Sequence, residues 1–228
     1  MNYGFIKVAS AIPSVKVGDV KYNTAQIENL IAQAEGQGVE VIVFPELSVT
    51  GYSCQDLFRQ DILLDSAETA VMVLLDFTRK LNIITIVGVP IVAGDILLNC
   101  AVVIQQGEIL GIVPKTYLPN YNEFYERRWF ASSSDLCHDE IRFAGHKLLM
   151  PLKSTIFTTS QGVRFGVEIC EDVWAPIPPS NNLTLAGADI IFNMSASDEL
   201  IGKHDYLKTL LSQQSARTMC GYVYSSCG

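Results

Sequence analysis

Strand-length apolar runs alternate with helix-length amphipathic segments over residues 4–89, and few architectures accept that alternation. Residues 4–11 read as a strand. Asn23, with Gln26 three residues on, reads as a helix N-cap with a capping box. Ile27, Leu30, Ile31 and Ala34 follow at the i, i+3, i+4, i+7 spacing of one apolar helix face, and Gly36 and Gly38 end it. Residues 39–44 form an apolar, β-branched run, the mark of a buried strand. Asp65 and Glu68 read as a second capping box, ahead of a face of Val71, Leu74, Leu75 and Thr78. Residues 83–89 are the next strand. The order β-α-β-α-β implies a layered α/β fold with helices packed on a sheet.

The pattern then changes. Residues 101–104 and 109–113 flank Gln106-Gly107 and read as an antiparallel hairpin. Residues 155–159 and 163–169 flank Gln161-Gly162 and read as another. Between the two, residues 116–151 are polar and aromatic with little periodicity. A stretch of that length is uncommon unless it carries function. Residues 189–194 read as a strand, residues 204–219 as a helix with Leu207, Leu210, Leu211 and Gln214 on one face, and residues 222–226 as a last strand. No Pro- or Ser-rich linker follows that strand, so the domain is expected to continue beyond residue 228.

Composition removes several function classes. Hydrophobic residues make up 49% and charged residues 18%, which is ample for a core and excludes a disordered or fibrous chain. With 16 Lys+Arg against 24 Asp+Glu, the net charge of −8 and the lack of a basic cluster argue against a nucleic-acid partner. No apolar run reaches transmembrane length, so no membrane partner is expected. The N-terminus has no basic stretch followed by an apolar one, so a cytoplasmic location is expected. The six cysteines include no CxxC pair, and Cys137, His138 and His146 match no usual zinc spacing, so no metal is expected.

Ligands of α/β sheets gather outside the carboxyl ends of strands. Three reactive side chains stand just past such ends: Glu46 after residues 41–45, Lys115 after residues 109–114, and Cys170 after residues 163–169. A carboxylate, an ammonium and a thiol together suit acyl transfer. Glu46 would take the thiol proton, Lys115 would favour the thiolate, and Lys115 with a backbone N–H beyond the nucleophile would stabilise the oxyanion. Taken singly, each has an ordinary reading: Cys170 a small core residue, Glu46 a surface carboxylate, Lys115 a solvated strand-end charge.

The surrounding motifs join them. Phe44-Pro45-Glu46-Leu47 with Thr50-Gly51-Tyr52 resembles the glutamate motif of the nitrilase (carbon–nitrogen hydrolase) superfamily. Val113-Pro114-Lys115-Thr116-Tyr117-Leu118-Pro119 resembles its lysine motif, and Gly166-Val167-Glu168-Ile169-Cys170-Glu171-Asp172-Val173-Trp174 its cysteine motif. The resemblance implies an αββα four-layer sandwich and a Glu–Lys–Cys triad that hydrolyses non-peptide C–N bonds. Asp56-Leu57-Phe58, Leu118-Pro119-Asn120-Tyr121, Phe124-Tyr125-Glu126, Asn193-Met194-Ser195-Ala196-Ser197 and Gly202-Lys203 are similar to the glutaminase domains of glutamine-dependent NAD synthetases. In that family the glutaminase passes ammonia to a synthetase domain that adenylates deamido-NAD with ATP.

By position, the resemblance makes Glu126 the second glutamate that orients the lysine, with Glu123 as a near alternative. It makes Tyr121, Phe124, Glu171, Ser197 and Lys203 the positions that bind L-glutamine. Glu171 suits the ammonium of a free amino acid, and Lys203 with Ser197 suits its carboxylate. Trp174 either walls the pocket or packs. The S-G-G-x-D-S pyrophosphatase string of the synthetase half is not in the sequence. The expectation is therefore one glutaminase domain over residues 1–228, incomplete at its C-terminus, with no cofactor of its own. ATP and Mg would serve only a synthetase domain outside this stretch. A homo-oligomer is expected from the family. The alternatives are an amidase acting alone on another small amide, and a non-catalytic assembly module of the same fold.

Overall fold

A computed structural model describes residues 4–137, 140–150 and 155–227. The first sheet is built from β1 (Val8–Ser10), followed by α1 (Val20–Gly36), then β2 (Val41–Val43), α2 (Asp61–Thr78), β3 (Ile84–Ala93), β4 (Ile96–Gln105) and β5 (Glu108–Pro114). Its strands lie in the order β1-β2-β3-β4-β5, parallel as far as β3 and antiparallel beyond it. Two small hairpins follow, β6 (Asn120–Tyr121) with β7 (Phe124–Tyr125), and β8 (Glu140–Phe143) with β9 (His146–Leu149). The second sheet comprises β10 (Phe157–Thr158), β11 (Arg164–Ile169), then α3 (Pro179–Leu185), β12 (Ile190–Ser195), α4 (Lys203–Thr218) and β13 (Gly221–Ser226). Its order is β10-β11-β12-β13, with β11, β12 and β13 parallel.

Strand periodicity dictates the layering. Val41 and Val43 point one way and Ile42 the other, because successive side chains alternate across a sheet. Val41, Val43, Ile84, Ile86, Ala101 and Val103 meet Phe165, Val167, Ile169, Phe192 and Met194 in a core between the two sheets. Ile42, Phe44, Val87 and Val89 pack instead against Ile27, Ile31, Val71 and Leu74 of α1 and α2. On the far side, Ile191 of β12 packs with Leu183 of α3. The result is the expected αββα four-layer sandwich.

Several local expectations are corrected. The first strand is shorter than residues 4–11. The first helix starts earlier than expected, with Asp19 as N-cap accepting from the Tyr22 N–H at 3.1 Å. Asn23 is buried inside that helix, and its amide instead bonds the Lys16 and Val49 carbonyls at 2.9 and 3.1 Å. The second helix begins at Asp61, so Asp65 lies within it, and Glu68 accepts from the Ala144 N–H at 2.7 Å. Both capping signals are local patterns overridden by contacts distant in sequence. Residues 116–151, read as irregular, contain the β6–β7 and β8–β9 hairpins. Of the expected apolar face of α4, Leu207, Leu210 and Leu211 are half-buried and Gln214 is buried, its amide bonding Ser180 Oγ at 2.8 Å. His138 lies outside the described residues. Among the described residues, no cluster of His, Cys, Asp or Glu suited to a metal occurs, and no helix is long and apolar enough to cross a membrane.

Candidate active site

The strand ends of both sheets open to one side, and the three reactive residues meet there. Glu46 leaves β2 in a tight turn that lies directly on β3. That approach needs Gly88, since a Cβ there would sit 2.2 Å from the Leu47 nitrogen. The Glu46 N–H bonds the Ser195 carbonyl of β12 at 3.2 Å, and Glu46 Oε2 accepts the Ala196 N–H at 3.1 Å. The Glu46 carboxylate is thus anchored to the opposite sheet.

Lys115 follows β5 and is fully buried. Its Nζ donates to Glu46 Oε1 at 2.6 Å and to Glu126 Oε1 and Oε2 at 2.7 and 2.9 Å. Tyr52 Oη also donates to Glu126 Oε1, at 2.8 Å. Glu126 is therefore the carboxylate that holds the lysine, and Glu123 is not. Burial alone would push the Lys115 ammonium down, but Glu46, Glu126 and Cys170 outweigh it and hold its pKa well above the usual lysine value. Burial raises the Glu126 carboxyl, opposed by Lys115.

Cys170 sits at the turn out of β11 with φ of +45°, a conformation that non-glycine residues rarely adopt and one that concentrates at functional sites. Asp172, also buried, holds this turn. Its Oδ2 accepts the Ile169 N–H at 2.9 Å, and its Oδ1 accepts the Thr116 and Tyr117 N–H groups at 3.1 and 2.8 Å. One carboxylate therefore ties the cysteine turn to the chain just past Lys115. Burial and then Glu46 push the pKa of the Cys170 thiol up to about 12, and the opposing pull of Lys115 is smaller. At rest the side chain is a thiol.

A cavity of about 270 Å³ opens over Cys170. That is below the range of roughly 300–1,000 Å³ typical of drug-sized ligands, and it suits one small metabolite. Tyr121, Phe124, Glu171, Ser197 and Lys203 all line it. Tyr121 Oη donates to both Glu171 oxygens at 3.0 and 2.9 Å. Burial raises the Glu171 carboxyl, offset in part by that hydrogen bond and by Lys115. The Ser197 N–H bonds Ser226 Oγ at 3.2 Å. Lys203 forms an ion pair with Asp198 and stands 5.7 Å from the Phe124 ring centre and 5.8 Å from that of Trp174.

Trp174, left open between pocket wall and packing, lines the cavity and stacks on Tyr206 at 5.6 Å, and Glu123 shares the lining. Sequence reasoning missed Asp198 and Tyr206, which also line it. Tyr52 and Asn99 brace the buried carboxylates, Asn99 Nδ2 donating to Glu46 Oε1 at 2.6 Å. Asn99 had a legible signal, being a polar residue inside an otherwise apolar strand. Chemically, the arrangement offers a buried thiol, a carboxylate and an ammonium at the end of a pocket with charges of both signs, the equipment for acyl transfer from a small polar amide.

Comparison with known proteins agrees with this geometry. The glutamine-dependent NAD(+) synthetase of Mycobacterium tuberculosis (strain ATCC 25618 / H37Rv) is 38% identical over 229 aligned positions, covering 100% of this chain and 33% of that protein. The corresponding Aquifex aeolicus protein is 32% identical over 208 positions, covering 91% of this chain and 33% of its own length. The chain thus spans about a third of the length of these relatives. Among solved structures, a glutamine-dependent NAD(+) synthetase from Cytophaga hutchinsonii superposes with a TM-score of 0.83 at 28% identity, over 97% of this chain and 36% of that one. An amidase of the nitrilase superfamily from Nesterenkonia shares the fold, with a TM-score of 0.80 at 17% identity over 97% of this chain and 76% of its own. The carbon-nitrogen hydrolase family profile matches residues 7–227, and the chain belongs to that family.

Proposed function

We propose that this chain is the glutaminase part of a glutamine-dependent NAD synthetase, releasing ammonia from L-glutamine through a thioester on Cys170. The observation that carries the reading is a small cavity whose lining brings together Cys170, the carboxylate of Glu171 and the ammonium of Lys203. Glutamine is a zwitterion with an amide at the far end of its side chain. Its ammonium pairs with Glu171 and Tyr121, and its carboxylate with Lys203 and Ser197. Phe124 packs against the aliphatic stem.

The chemistry follows from the buried cluster. Glu46 accepts the thiol proton as Cys170 Sγ attacks the amide carbon. The developing oxyanion is met by Lys115 and the Glu171 N–H, donors of a kind worth about 3 kcal/mol each. Glu126 keeps Lys115 aimed. Glu46 then gives its proton to the leaving ammonia, and water, activated by the same carboxylate, releases glutamate from the thioester. This chain needs no metal or cofactor for those steps. ATP and Mg belong to the synthetase domain that takes up the ammonia to amidate deamido-NAD. The family reading also carries a homo-oligomer, supported by the half-covered Leu207, Leu210 and Leu211 of α4, and a cytoplasmic setting.

The test is covalent. A glutamine analogue carrying an electrophilic ketone should label Cys170, and Cys170→Ala should lose both the label and ammonia release. Undiminished labelling of that variant would remove Cys170 from the mechanism. A preference for a simple aliphatic amide over glutamine would favour a free-standing amidase instead.

A further inference from the structure

Asn99 is a buried polar residue bonded to Glu46 that the reaction above leaves unused. It interrupts β4 between Leu98 and Cys100, Ala101 and Val102, all buried, and is itself 1% exposed. Its Nδ2 donates to Glu46 Oε1 at 2.6 Å. The orientation follows from charge, because an ionised carboxylate only accepts and the amide must turn its NH₂ towards it. Asn99 Oδ1 then has no partner among the described residues. Half of a buried amide goes unmet in order to keep one donor on Glu46. An apolar side chain at this position would avoid that penalty.

The two oxygens of Glu46 are consequently unequal. Oε1 accepts from Asn99 Nδ2 and Lys115 Nζ, each at 2.6 Å. Oε2 accepts only the Ala196 N–H, at 3.1 Å, among the described residues. With two close donors on Oε1, the free lone pair belongs to Oε2. We propose that Asn99 is a positioning residue that makes Oε2 the oxygen through which Glu46 moves every proton of the reaction. The proposal rests on the functional reading above. As the Sγ–C bond forms, the S–H bond breaks and its proton goes to Oε2. That proton passes to the leaving nitrogen as the C–N bond breaks. A water proton then goes to Oε2 as the water oxygen replaces sulfur on the carbonyl carbon, and Oε2 returns it to the thiolate.

The ionisable groups that interact with Glu46 are Lys115 past β5, Glu126 past β7, Cys170 and Glu171 past β11, Tyr52 ahead of α2 and Cys227 past β13. Asn99 adds a donor without adding a charge.

The experiment compares Asn99→Leu and Asn99→Asp in the protein by glutamine-dependent ammonia release. Leu has nearly the same shape and removes the unmet oxygen, so the thermal midpoint should hold or rise. We expect kcat to fall on the order of 100-fold with KM for glutamine little changed. Asn99→Asp, which adds a carboxylate to a cluster holding one ammonium, should fall further, and it carries the same test should Asn99→Leu not fold. Unchanged kcat, or kcat and KM moving together, overturns the assignment. Retention of ammonia release by Cys170→Ala would instead reject the functional reading. The alkylation of Cys170 by iodoacetamide then decides: a displaced rate–pH profile in Asn99→Leu upholds the role of Asn99, and a superimposable one ends it.

Discussion

The floor of the site and its walls are built on different principles. The floor, Glu46, Lys115, Glu126 and Cys170, is almost wholly buried, and each member leaves or braces a strand end. Sheet register sets the separations there, and hydrogen bonds of 2.6–2.9 Å join the three charged groups. The walls, Tyr121, Phe124, Glu171, Ser197 and Lys203, come from a two-residue hairpin, a turn and the start of a helix, and Tyr121 is 51% exposed. Chemistry needs geometry held to fractions of an ångström, while capture of a flexible amino acid tolerates and uses looser elements. Damage to the floor should therefore appear in kcat and in stability, and damage to the walls in KM.

Lys115→Met breaks that contrast hardest. It leaves Glu46 and Glu126 buried with no cation, and removing one partner of a buried pair typically costs about 3–5 kcal/mol. Chemical denaturation should register that loss together with the disappearance of ammonia release. A second sharp effect concerns the thiol. With burial pushing its pKa up to about 12, Cys170 should react with iodoacetamide at neutral pH far more slowly than a free thiol. Its rate should go on climbing above pH 9, where an ordinary thiol levels off. A plateau near pH 9 would contradict the burial argument.

The walls should respond differently. Lys203→Ala should raise KM for glutamine about 10–100-fold, the worth of one hydrogen bond between charged groups, with kcat nearly intact and folding unaffected. A kcat effect of equal size would mean that the pocket also sets the geometry of attack. The smallest expected change comes from Tyr52→Phe, which removes the hydroxyl from Glu126 but leaves Lys115 in place. It should lower kcat about tenfold without moving KM, the lower end for a hydrogen bond to a charged group. Steady-state kinetics on both variants would show whether the division between floor and walls is real.

Much of this was legible in the sequence, and the exceptions share a cause. Glu46, Lys115 and Cys170 announce themselves as reactive residues at the carboxyl ends of apolar runs, inside three motifs in a fixed order. The Gln106-Gly107 hairpin was equally plain, both residues adopting the positive φ that such a turn requires. Asn23 and Asp65 misled because a capping box is a pattern of four residues. Here the Val49 carbonyl claimed the Asn23 amide, and the helix of Asp65 had already begun at Asp61. The solvation of Cys170 was illegible for a related reason. Spacing shows a lysine in the neighbourhood, but it does not show how little water reaches the sulfur.

By itself the sequence determined the main strands of both sheets, the three long helices, their order and the reactive side chains that follow three of the strands, because periodicities of 2 and 3.6 residues and the needs of turns are local properties. It also carried the motifs that marked the family. Tertiary structure alone decided that Glu126 rather than Glu123 holds Lys115, that Asn99 occupies one oxygen of Glu46, and that Asp172 joins the lysine strand to the cysteine turn. Those partners lie 11, 53 and 55–56 residues apart. Only the packing of two sheets face to face brings groups so distant into a dry site, where a single donor or carboxylate changes what its neighbour can do.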